Sequence, residues 1–416
     1  MNTNKISKGK GTTILYLLAT IGIVLIITRL LNGFTSITNL SDGYPWGLWI
    51  GVDIMAGIAM TTGGLILATL VLIFGIKKYH QLLQPAILTA FLGYVLEIIG
   101  LIPDLGRPWA LYNALFYWNN SSVMFVVAWC VILQTIVLAT IFAPVIFEKL
   151  KLTRLQKSYN SIVPWVACCI ITFFVFLISK SMIWTGITFV LFLILMFTFK
   201  SITKNSALLL LSIIGLIISV THQQALGSLF LIIPEKLSGL WFSPMLQINF
   251  LLSSIALGLG MIIFECTLSS KVFGCGLDTQ LLKNIGKFLL VMLIFTVISR
   301  FITLYFQTNF VFDNAGTTAQ LTSFWLEIFT GLIIPIILLL LPSVRNSSTA
   351  TFWVAILVVF GVILNRINVA FIGINRADYP SYYPNLGEIF ITVGIFSIGL
   401  LLFYNISRRF SIFANH

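Results

Sequence analysis

A few ionisable side chains in this sequence stand inside long apolar runs: Arg29, Asp53, Glu97, Glu265, Arg300, Glu327, Arg366 and Glu388, with His222 at the edge of one run. A charge at membrane depth is costly, and it marks an ion or proton path, a counter-ion or a buried pair. Carboxylates so placed can take up and release protons. Depth follows from helix rise: Asp53 is eight residues past Pro45, roughly 12 Å below the outer edge at about 1.5 Å per residue. Glu97, seven residues before Asp104, has a similar depth, and these two point to function. Arg29, Arg300, Glu327 and Glu388 lie within a turn or so of helix ends, where they snorkel, pair or cap. Glu327 and Glu388 are expected to open their helices, where the dipole favours an anion. Glu265 stands alone near the opposite end of its run and either snorkels or handles protons. Arg366, in Leu-Asn-Arg-Ile-Asn, is too polar a patch to face lipid and faces the bundle as an ion pair or a site residue.

Histidine and cysteine speak against metal chemistry. A b-type haem inside a bundle takes two axial ligands, usually His. His80 falls in a loop, His222 at the outer edge of a run and His416 at the last position, so no pair meets within the bilayer and no haem is expected. Cys130, Cys168, Cys169, Cys266 and Cys275 form no CxxC, CxxCH or ferredoxin spacing, so no iron–sulfur cluster of the chain's own and no metal site are expected.

The elements that position these residues follow from composition. Of 416 residues, 59% are hydrophobic and only 9% charged, and mean hydropathy is +1.05. That excludes a soluble enzyme. The apolar runs are long and do not alternate, which excludes a barrel and predicts an all-α, polytopic transmembrane helical bundle in one domain, 1–416. About twelve spans can be marked, near 13–33, 46–76, 86–103, 122–145, 161–179, 182–199, 206–221, 245–268, 284–305, 323–341, 351–372 and 385–406. With both termini in the cytoplasm, 17 Lys and Arg fall in cytoplasmic segments and four (Arg107, Lys180, Lys236 and Arg376) outside. That asymmetry supports the count and the orientation, and it explains the net charge of +12 without nucleic acid. The outer loops are aromatic: Trp109, Tyr112, Phe116, Tyr117 and Trp118 in one, Phe230, Trp241 and Phe242 in a second, Tyr379, Tyr382 and Tyr383 in a third. They read as an interfacial belt, a docking surface for an extracytoplasmic subunit, or both.

Six stretches in order carry a family resemblance: GYPWGLWIGVDIMAG (43–57), KKYHQLLQP (77–85), AFLGYVLEIIGLIPDLGRPW (90–109), SVMFVVAWC (122–130), THQQALGSLFLIIP (221–234) and MIIFE (261–265). From about Tyr44 onward the chain resembles the polysulfide-reductase NrfD-like family, and within it the HybB-type quinone-coupling subunits of nickel–iron hydrogenases. The resemblance implies a subunit of the bacterial inner membrane, not catalytic alone, that binds menaquinone or ubiquinone near the periplasmic face. It implies electron exchange with a periplasmic iron–sulfur subunit, and through it with a catalytic hydrogenase or molybdopterin subunit, coupled to proton movement. Carried over by position, Asp53, Tyr94 and His222 match the quinone and proton region and Glu265 a carboxylate on a proton route. Arg366 and Arg107 are expected to support the site. Tyr94 or His222 would hydrogen-bond a quinone carbonyl, and Asp53 would exchange protons.

Two departures matter. HybB-like proteins carry Glu where this chain has Val126, whereas Glu97 occupies a position usually apolar; at matching depth, Glu97 is expected to supply the missing carboxylate for quinone and proton work. Between Glu148 and Thr221 the chain has room for three spans where one suffices, so 161–204 is expected to be an inserted helical hairpin. A proton-driven secondary transporter is the rival reading; it predicts repeated halves and broken helices, and no clear repeat is visible.

Overall fold

Without water to satisfy the backbone, an apolar run must close its hydrogen bonds internally, and here it does so as helix. The computed structural model describes residues 10–44, 46–119, 121–198, 204–233, 236–274, 279–308, 316–375, 382–410 and 412. Among them, eleven helices are long and apolar enough to cross a membrane. These are α1 (Lys10–Asn32), α2 (Trp49–Ile73), α3 (His80–Asp104), α4 (Val123–Lys149), α5 (Thr153–Ser179), α7 (Asn205–Ile232), α8 (Leu246–Phe273), α9 (Thr279–Thr308), α10 (Thr318–Leu340), α11 (Ser348–Ile372) and α12 (Leu386–Arg409). The twelfth, α6 (Met182–Phe197), has 16 residues, about 24 Å of rise against a hydrocarbon core of about 30 Å. It turns back on α5 through Lys180, which adopts the left-handed conformation (φ 53°). The protein is a polytopic helical membrane protein; its β content among the described residues is a single isolated bridge, Leu237 to Ile374.

Helix α8 is central, packing against α2, α7, α9 and α11; α3 and α4 lie beyond the first two and α10 beside the last two. A Cβ added to Gly63 would stand 2.5 Å from the Gly258 carbonyl oxygen, so the two backbones touch there, the close approach that small residues allow in membranes. Gly57, six residues earlier on α2, makes no such close approach: the nearest atom to an added Cβ is Val52 O at 3.7 Å. Helix α12 lies on α1 and α3, and α5 lies on α4 and α7. The first stretch of α2, Trp49–Ala56, is π-helical, as are Phe329–Ile333 in α10 and Asn368–Ile372 in α11.

Three expectations need correction. First, α7 does not end at His222 but runs on to Ile232. The polar triplet His222-Gln223-Gln224 lowers the hydropathy without breaking the helix, because His222 and Gln223 are buried in the bundle. Secondly, Glu327 does not open its helix. Helix α10 starts at Thr318, and Glu327 is ten residues in, so a helix dipole is not what holds it. Thirdly, the aromatic loops divide. Trp109, Phe116 and Tyr117, between α3 and α4, are exposed, whereas Phe230, Trp241 and Tyr382 are buried. Tyr379, Arg376, Cys275 and His416 lie outside the described residues.

Candidate functional site

An apolar slot of about 160 Å³ runs between α2, α3, α8 and α12. Asp53, Gly57 and Thr61 line it from α2, Thr89 from α3, Glu265 from α8 and Gly399 from α12. Leu268 and Leu400 on its rim are exposed, so the slot opens sideways onto the lipid-facing surface. Asp53 and Glu265 mark its two ends. Gly100 makes room for Asp53, since a Cβ there would stand 3.2 Å from the Asp53 Cβ, and Thr89 stands beside Glu265. Eleven residues of α3 separate Thr89 from Gly100, about 16 Å of helix rise. Asp53 Oδ2 accepts a hydrogen bond from the Thr392 hydroxyl at 3.0 Å; its Oδ1 and Glu265 Oε1 have no partner. The π-helical stretch aims Asp53 inward, and such wide turns recur at functional sites.

Tyr94, Glu97 and His222 form a second, closed group between α3, α4 and α7, on another face of α3 from the slot. His222 Nε2 is 3.9 Å from Glu97 Oε1, and the Tyr94 and His222 rings lie 5.9 Å apart. All three are buried. Cys130 of α4 stands beside Glu97. Val126, one turn earlier on α4, is half-buried among the apolar residues of α4, α5 and α7. Of the four residues expected at the quinone, three therefore come together and Asp53 faces the slot instead. Thr61 joins the two places, lining the slot and standing beside the Tyr94 hydroxyl.

Arg366 belongs to a third arrangement. Glu327 accepts from Arg300 at 2.6 Å, Trp241 Nε1 at 3.0 Å, Asn365 at 2.8 Å and Asn368 at 2.8 Å. Arg366 donates to Asn365 Oδ1 at 2.7 Å, to Phe250 O at 3.0 Å and to the hydroxyls of Ser253 and Ser254 at 2.9 and 3.0 Å. Its guanidinium also lies 3.7 Å from the Phe250 ring centroid. Ser254 in turn donates to Gln223 Oε1 at 2.6 Å, so this network reaches the residue beside His222. Arg366 is thus a bundle-facing residue held by neutral acceptors and an aromatic face. Arg107 is exposed in the loop after α3 and does not line the slot.

The remaining intramembrane charges are structural. Arg29 donates to Pro103 O at 3.0 Å and to Leu105 O, satisfying carbonyls at the end of α3. Glu388 closes a capping box with Asn385 and accepts from Thr38 and from the Asn39 N–H, each at 2.9 Å, and from the Tyr382 hydroxyl. Burial pushes the Tyr382 hydroxyl above its usual range, with Glu388 as its acceptor.

A search for ionisable residues overlooks Gln134 and Thr392. Gln134 is fully buried with both amide atoms unpartnered, and a lone Gln in Val-Ile-Leu-Gln-Thr-Ile-Val was a legible signal. Thr392 gave none, because its partner is 339 residues away.

Comparison with known proteins fits this architecture. Residues 36–377 match the family described as polysulphide reductase, NrfD. The chain belongs to the NrfD family. The Escherichia coli protein named "Probable Ni/Fe-hydrogenase 2 b-type cytochrome subunit" is 27% identical over 94% of this chain and 89% of its own length. The menaquinone reductase integral membrane subunit of Nitratidesulfovibrio vulgaris is 24% identical over 86% of this chain and 81% of its own. A further protein of that bacterium is 30% identical over the whole of this chain and 97% of its own length. Relatives thus include integral membrane subunits of oxidoreductases, one of them acting on menaquinone by its name.

Proposed function

We propose that this NrfD-family member is the quinone-reactive subunit of a respiratory oxidoreductase complex in the bacterial inner membrane, with both termini cytoplasmic. It exchanges electrons with a periplasmic iron–sulfur subunit, and through it with a hydrogenase or molybdopterin catalytic subunit. The observation that carries the reading is the slot, apolar, open to lipid and ended by two carboxylates, Asp53 buried and Glu265 half-buried. A cavity of about 150 Å³ holds a benzene-sized ring, so one ring of a quinone head fits in the slot, with the rest of the molecule leaving past Leu268 and Leu400. Menaquinone or ubiquinone, when bound, supplies two-electron, two-proton chemistry.

The chain supplies the rest. Asp53, with Oδ1 free and Oδ2 held by Thr392, is placed to hold or release a proton at the head. Tyr94, Glu97 and His222 form a proton-handling group one residue layer away, with Thr61 between. Here Glu97 serves in place of a carboxylate at position 126. Of the two slot carboxylates, Glu265 is the nearer to the basic face, which carries Lys271, Arg408 and Arg409. Protons entering through Glu265 would make turnover electrogenic, at about 2.3 kcal/mol per charge for each 100 mV. Among the described spans the imidazoles are His222 and His80. His80 opens α3 rather than lying in a loop, fourteen residues before the Tyr94 that packs on His222, about 21 Å of helix rise, so the two do not share a haem, which favours quinone over haem. The hairpin α5–α6 is read as an insertion beside α4 and α7.

Photolabelling with an azido-quinone, followed by peptide mapping, tests the reading. Label on α2, α3, α8 or α12 that Asp53→Asn weakens at least tenfold supports it. Label confined to other helices, or none competed by menaquinone, refutes it.

A further inference from the structure

Six polar atoms of the closed group have no partner: the Tyr94 hydroxyl, Glu97 Oε2, both amide atoms of Gln134 and both ring nitrogens of His222. Their residues are between 0% and 4% exposed. Buried polar atoms in native proteins are hydrogen-bonded, to protein or to ordered water.

These atoms are arranged as a column. Cys130, beside Glu97, and Gln134 are one turn apart on α4 and share a face. Gly215, Ser219 and His222 follow at the same helical spacing on α7, so they too share a face. Ser219 stands beside the Tyr94 hydroxyl. Gly215 faces the Gln134 amide across the helix pair: a Cβ there would lie 3.5 Å from Nε2, in ordinary contact. The 3.9 Å between His222 Nε2 and Glu97 Oε1 is too long for a direct hydrogen bond, and a single water can bridge such a gap.

We propose that this column is a binding site for ordered water. A buried water makes about three hydrogen bonds, so roughly two or three molecules satisfy the set. They link Glu97 and His222 to Tyr94 and, at the far end, to Gln134. Gln134 offers one acceptor and one donor group and is the anchor that fixes the water nearest the middle of α4. The site does not depend on the redox reading, because it rests on unpartnered polar atoms alone.

A cryo-electron-microscopy map of the full chain in lipid nanodiscs, at a resolution that shows water, tests it. Density for at least two waters within hydrogen-bond reach of these atoms is expected. In Gln134→Leu the density at the α4 end should vanish and the melting temperature should fall, since the waters lose an anchor. A wild-type map with side chains resolved and no density between them overturns the proposal, whether or not the variant folds. So does a Gln134→Leu protein that melts higher than wild type, because removing a truly orphaned amide is stabilising.

Discussion

Gly57→Phe separates the slot's role from its contribution to stability, because the two effects have opposite signs. Gly57 lines the slot, and a Cβ on it would meet only Val52 O, at 3.7 Å. The new side chain therefore has open space ahead of it. The slot measures about 160 Å³, and a cavity of about 150 Å³ takes one benzene ring, so the phenyl group fills it. In lipid the new ring gains packing rather than transfer from water, and replacing Gly within a helix adds up to about 1 kcal/mol. The variant should match or exceed wild-type stability, by up to about 1 kcal/mol, while losing at least tenfold in quinone labelling and quinone-linked electron transfer. Thermal unfolding in detergent and azido-quinone labelling of the same preparation measure both. A stable Gly57→Phe protein that still takes the label at wild-type level would show that the ligand binds elsewhere.

Other changes probe the remaining charges. Glu327→Gln strands the buried Arg300 guanidinium and should cost about 3–5 kcal/mol in unfolding, whereas the double change Arg300→Met with Glu327→Gln, which removes the stranded charge and keeps an acceptor for Trp241, Asn365 and Asn368, should recover most of it. Glu265→Gln should cut proton uptake at the basic face of proteoliposomes about tenfold and leave azido-quinone labelling intact; unchanged uptake would remove Glu265 from the route. Tyr382 is held protonated by burial and by Glu388. The unfolded chain releases this proton above about pH 10, so the stability it contributes is present below that pH and is lost as pH rises past it. Tyr382→Phe should flatten that alkaline decline in a melting-temperature series.

The spans were legible because lipid leaves an apolar run one way to satisfy its backbone. Their ends were not always so. Hydropathy averages over a helix and cannot tell a polar turn that faces a partner from one that faces water, which is why α7 was cut short at His222. Intramembrane charge singled out Asp53, Glu97, Glu265 and Arg366, yet not how they group. The division between the slot and the closed group depends on which face of α3 each residue takes and on the π-helical turn of α2, and a single sequence shows neither. Glu327 was read through its distance from a helix end, whereas Trp241, Arg300, Asn365 and Asn368 define it, all brought from other segments by the fold.

The wide turn at Trp49–Ala56 sets the phase of α2. Each residue of an α-helix advances about 100° around the axis, so a wide turn works as a one-residue insertion that the helix absorbs without a loop. Deleting one residue there would return the stretch to ordinary α-helix with both flanks in phase, and the residues inside the turn, Asp53 among them, would change direction. The carboxylate would then leave the slot with its chemistry intact and its neighbours changed. Among relatives of this chain, one residue more or less before Gly57 would decide whether a carboxylate and the slot share the same face.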